Sequence, residues 1–63
     1  MSDAMTPVSM WLGSAGTRYG RVETKELDEA RSQNPEIDHH VAVWWDDMPG
    51  VHTYEPLRHL AEV

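Results

Sequence analysis

Residues 40–60 read HVAVWWDDMPGVHTYEPLRHL, and the alternation inside this stretch decides the architecture. Val41, Val43 and Trp45 alternate with Ala42 and Trp44, and β-branched and aromatic side chains dominate, so residues 37–46 are predicted as a strand. Asp47-Met48-Pro49-Gly50 has the composition of a turn. Residues 51–54 then return as the partner strand, residues 56–59 make one tight turn, and residues 60–63 form a short last strand.

Working outward, PVSMWL (residues 7–12) also alternates, with Val8, Met10 and Leu12 on one side and Ser9 and Trp11 on the other. GSAG (13–16) supplies a turn, and TRYGRVE (17–23) reads as a second strand. Gly20 inside that strand predicts a bulge or a close backbone approach, with Val22 facing inward and Tyr19, Arg21 and Glu23 outward. TKELDEARSQN (24–34) is the most polar segment. Lys25/Glu29 and Leu27/Arg31 stand at helical spacing, Thr24 is a candidate cap, and only Leu27 and Ala30 offer an apolar face. This segment is expected to be an elaborated loop with one or two helical turns, ended by Asn34-Pro35. Residues 1–6 are expected to be a flexible terminus, leaving 7–63 as a single domain.

Composition narrows the class of job. A chain of 63 residues holds one small core and stays marginally stable. It has no cysteine, hence no disulfide, thiolate zinc cluster or cysteine nucleophile. The three tryptophans can each bury about 150–250 Å². Eleven acids against five bases give a net charge of −6, with Arg18, Arg21 and Lys25 the only close basic grouping. Backbone-phosphate binding needs a basic stripe, so nucleic acid is disfavoured as a partner. The acidity suits solubility, a basic protein partner or mimicry of nucleic acid. No apolar run approaches the length of a membrane span, and the opening MSDAMTPVSM lacks the features of a secretory signal. A cytoplasmic protein is expected; a phage product made in a host would look the same.

Residues 16–63 resemble the Tudor/KOW type of SH3-like small barrel. The resemblance is carried by Tyr19-Gly20-Arg21-Val22, by the run from Val41 to Asp47, by the glycine turn at Gly50, and by Pro56, Leu57 and Leu60. It implies an all-β fold: a five-stranded SH3-like barrel with a short, partly helical insertion around residues 24–36. The 24–36 insertion has no standard counterpart in that pattern. The resemblance also implies a binding habit, toward peptides, proteins, modified basic side chains or nucleic acid, and seldom catalysis.

Neighbours on a strand point to opposite faces, so Trp44 and Trp45 cannot both lie in the core of a regular strand. Trp45 is assigned inward and Trp44 outward; Trp11 has the same outward status on its own strand. Two hairpin registers are open. Pairing Trp45 with His52 would bring Tyr54 inward, whereas a shift of one residue puts Val51 and Thr53 inward and Tyr54 beside Trp44. The second is preferred, because valine suits a core better than histidine. Trp44, Tyr54, Trp11 and Tyr19, rimmed by Asp46 and Asp47, then form a candidate protein-binding face, since exposed Trp and Tyr are typical interface anchors. A methyl-cation cage built from the same rings and acids is the alternative that the resemblance suggests.

His39, His40, His52 and His59 show no recognised metal-ligand spacing, although one of the first two with His52 and an acid could meet. The glycines at 13, 16 and 20 lack the lysine and Ser/Thr of a phosphate loop. No nucleophile set or carboxylate pair can be argued. The expectation is a non-enzymatic accessory or regulatory protein with no cofactor and a protein partner. A self-assembling structural subunit is the alternative.

Overall fold

The computed structural model describes residues 4–34 and 36–63. Its chain runs through β1 (Met5–Trp11), a 3-10 turn (Gly13–Ala15), β2 (Thr17–Glu23), α1 (Thr24–Ser32), β3 (His40–Trp45), β4 (His52–Pro56), a second 3-10 turn (Leu57–His59) and β5 (Leu60–Glu62). All strand pairs are antiparallel, in one sheet of order β4-β3-β2-β1-β5. The protein is thus mostly β, five strands and one short helix. Among the described residues no helix is long and apolar enough to cross a membrane.

The sheet has an inner and an outer face. Val8, Val22, Val41, Val43 and Trp45 point inward and are sealed, joined by Leu27 from α1. Met10, Ala30, Met48, Leu57 and Leu60 pack around them. The helix follows β2 directly, with Glu26 in its first turn and Arg31 in its last, as the helix dipole favours. It lays Leu27 onto the sheet, as the two apolar positions of this segment require.

Gly20 explains how an indole fits beside a strand. A Cβ at this position would stand 2.8 Å from the Trp44 carbonyl oxygen and 2.9 Å from Trp45 Cε3. Gly20 and Trp45 are register partners, so the ring lies flat over the bare glycine backbone. Of the two readings of this glycine, close approach is the one realised. Arg18 completes the enclosure, its guanidinium 4.3 Å from the Trp45 ring centroid.

Several expectations are corrected. The sheet does not close: β4 and β5 lie at opposite ends of the strand order, so the closed barrel is not formed. The helix covers the inner face instead through Leu27 and Ala30, together with Leu57 of the second 3-10 turn and Leu60 at the start of β5. Strand β1 starts at Met5, inside the segment expected to be flexible. Its extra pairing of Met5 with Glu23 and Thr6 with Val22 is reinforced by the Thr24 amide donating to the Ala4 carbonyl at 3.0 Å. The rest of the expected fraying, at residues 1–3, lies outside the described residues, as does the helix-ending role given to Pro35. Thr24 is not a cap. It is the first helical residue, and its Oγ1 shares a 2.7 Å hydrogen bond with Thr6 Oγ1.

Leu12, Ile37 and Val51 were expected in strands, and each is taken by a turn. Leu12 donates its amide to the Gly16 carbonyl, Ile37 to Asn34 and Val51 to Met48. All three side chains are exposed as a result.

Candidate protein-docking face

Strand register fixes which side chains share the outer face. Val43 pairs with Thr53, Trp44 with His52 and Ala42 with Tyr54. This is the register that turns Thr53 inward and leaves Tyr54 on the side of Trp44; Val51 does not join the core. Thr53 is held by polar contacts: Trp45 Nε1 donates to its Oγ1 at 2.7 Å, and that hydroxyl donates to Glu55 Oε2 at 2.8 Å. The buried indole N–H is thereby satisfied, which lets Trp45 be only 2% exposed.

The four rings selected from sequence fall on one line. Trp11 pairs with Thr17 and Ser9 with Tyr19, so Tyr19 is the diagonal neighbour of Trp11. Arg21 pairs with Trp44, making Trp44 the diagonal neighbour of Tyr19. Trp44 pairs with His52, which puts Tyr54 one diagonal step further. Each step crosses one strand and advances two residues in the same direction. Trp11, Tyr19, Trp44 and Tyr54 therefore form a diagonal stripe from β1 to β4. At about 7–8 Å per diagonal step it is on the order of 20–25 Å long. Their exposures are 77%, 53%, 37% and 66%. Trp11, Tyr19 and Tyr54 stand largely open, while Trp44 is partly covered by its neighbour His52.

Two further residues belong to this face: His52, which sequence reasoning did not single out, and Arg21, which it placed outward without a role. His52 stands between the last two rings, 4.5 Å from Trp44 and 5.5 Å from Tyr54, the latter edge-on. Its alternation with Tyr54 on β4 was the available signal. Arg21 lies beside Trp44 and comes within 3.8 Å of Asp46 Oδ1. Asp46 continues the pairing with β2, its amide donating to the Tyr19 carbonyl at 3.1 Å, so it flanks the stripe as predicted. Asp47 does not. Its Oδ1 accepts from Arg18 Nε at 3.3 Å and Nη2 at 3.1 Å, and it holds the guanidinium that lids Trp45.

Electrostatically, each of the four arginines faces an acid: Arg18 with Asp47, Arg21 with Asp46, Arg31 with Glu62 and Arg58 with Asp38. Hydrogen bonding from Arg58 holds the Asp38 carboxyl below its ordinary value; desolvation opposes this, and the positive charge of Arg58, His40 and His59 adds to the lowering.

A concavity of about 480 Å³ lies away from the stripe among Ala30, Arg31, Ile37, His39, Leu57 and Arg58. His39 Nε2 is buried there without a hydrogen-bond partner. Among the described residues no three His, Cys, Asp or Glu side chains converge as a metal set. Comparison with protein-family models, with curated proteins and with solved structures finds no match for this chain.

Proposed function

We propose that this chain is a non-enzymatic protein-binding module, an accessory or regulatory protein of the cytoplasm that docks a protein partner through its outer face. The observation that carries this reading is the diagonal of Trp11, Tyr19, Trp44 and Tyr54 across four strands, every ring of it exposed in whole or in part. Isolated exposed apolar residues are normal, but aligned Trp and Tyr side chains on a rigid sheet are the kind of surface that anchors interfaces. Aromatic rings carry large area at low entropic cost, so a stripe of four can supply the centre of a standard interface. The partner would present an apolar strip of matching length. We also read the fold as an open relative of the SH3-like barrel. The reading is supported by a four-strand meander followed by a 3-10 turn and a fifth strand returned to β1.

The test is quantitative capture of partners from the native source by wild type and by Trp44→Ala. The Trp44 side chain lies outside the core, so the variant should keep its fold by circular dichroism while partner affinity falls about tenfold or more. Wild-type binding by a folded Trp44→Ala would overturn the reading. Self-assembly through the same stripe is the competing outcome, and it shows as a mass that rises with concentration in the micromolar range.

A further inference from the structure

The ladder pattern leaves β4 with an open edge, and three independent hydrogen bonds fix which residues face it. Leu57 donates to the His39 carbonyl at 2.8 Å, one step beyond the β3–β4 ladder, so this position is a bonded pair. Bonded pairs alternate in antiparallel ladders, which makes Val41/Glu55 and Val43/Thr53 bonded as well. On the other side of β3, Ala42 donates its amide to Glu26 Oε1 at 3.0 Å, away from β4. The Asp46 amide, which points to Tyr19 on β2, keeps the same phase. His52 and Tyr54 consequently turn both N–H and C=O outward, whereas Pro56 has no N–H and caps the 3-10 turn Leu57–His59 with its carbonyl. Among the described residues β4 pairs with β3 alone, and no turn or loop bond engages the His52 or Tyr54 backbone.

The edge also has a chemical preference. Thr53 and Glu55 point to the inner side, half-buried, and among the described residues the Thr53 hydroxyl is the one donor to the Glu55 carboxylate. An inward carboxylate on an edge strand discourages pairing with another acidic strand. A second copy of this chain would bring another Glu55 to the same side and set −6 against −6. A cation at the facing position would instead find a half-buried carboxylate with one oxygen not taken by Thr53. On the outer side, His52 and Tyr54 offer ring surface to the alternate residues of the same strand.

We propose that β4 is a strand-addition site for an extended basic segment of a protein partner. The segment pairs its backbone with His52 and Tyr54 and sets a lysine or arginine against Glu55. This goes beyond the docking face: it adds a directional backbone contact at one end of the aromatic stripe and predicts the charge of what lies there.

The test uses the full chain, nitrogen-labelled, titrated with a seven-residue peptide alternating valine and lysine, and with the same peptide carrying glutamate for lysine. With the lysine peptide, the His52 and Tyr54 amides should shift and gain protection from exchange, and affinity should fall with added salt. The glutamate peptide, and Glu55→Gln with the lysine peptide, should each bind about tenfold more weakly. Tyr54→Pro removes an outward N–H that no ladder bond uses, so it should keep the fold and lose the peptide. Shifts confined to Trp44, Tyr19 and Trp11 would overturn the edge site while leaving the docking face standing. Protection of His52 and Tyr54 that grows with protein concentration alone would overturn the choice of a basic partner in favour of a second copy.

Discussion

Gly20 and Trp45 are the pair on which the inner face closes, and their fit is tight enough to predict from distances. An added methyl at Gly20 meets a backbone carbonyl and a ring edge, both within 3 Å, and neither is a flexible side-chain end. Gly20→Ala should therefore destabilise the protein by about 1–3 kcal/mol, measured by urea denaturation. An unchanged midpoint would mean that the indole does not lie over this glycine. Asp38 gives a second prediction at this scale. Its carboxyl is lowered by Arg58 in the folded state, so its contribution to stability is present above the unfolded value, near 3.9, and is lost as pH falls through the lowered folded value. Arg58→Ala should move the Asp38 titration, followed by NMR, back up toward the ordinary value. Trp45 inward and Trp44 outward were legible from alternation alone, as was Gly20 as a point of close approach. The Trp45–Thr53–Glu55 hydrogen-bond relay was not, because it depends on a register that the turn residues do not announce.

At the scale of elements, α1 is the cover of the inner face, and one side chain does most of that work. Leu27 is 1% exposed against the valines of three strands. Leu27→Ala should cost about 2–5 kcal/mol, a large share of what so small a domain possesses, and the thermal midpoint should drop accordingly. Ala30→Ser, at a half-buried site, should cost much less. Equal effects from the two would contradict the placement of the helix. The sequence pattern showed the helical spacing of Leu27 and Ala30 but not the full nine residues, because so polar a segment has little apolar periodicity to read. It also could not show that Glu26 reaches across to the Ala42 amide, a tertiary contact that satisfies β3 where β2 has already turned into helix. Strand ends were read too generously at Leu12, Ile37 and Val51 for one shared reason. Apolar character suggests burial, yet each residue's amide is committed to a turn.

At the scale of the whole molecule, the open sheet is what gives the outer face its reach. Five strands in the order β4-β3-β2-β1-β5 place the four rings on successive strands, and a two-residue advance per strand turns scattered sequence positions into a line. No local pattern in the chain reveals that line, since it emerges from three registers taken together. The same positions were identified as interface candidates by residue type alone; what geometry adds is their alignment, the insertion of His52, and the separate duty of Asp47. The measurement that tests this arrangement most directly is the response of the three indole N–H signals of the free protein to a soluble paramagnetic relaxation agent. Trp11 should broaden most, Trp44 should broaden clearly, and Trp45 should stay sharp. Equal protection of all three, or broadening of Trp45 ahead of Trp44, would contradict the account.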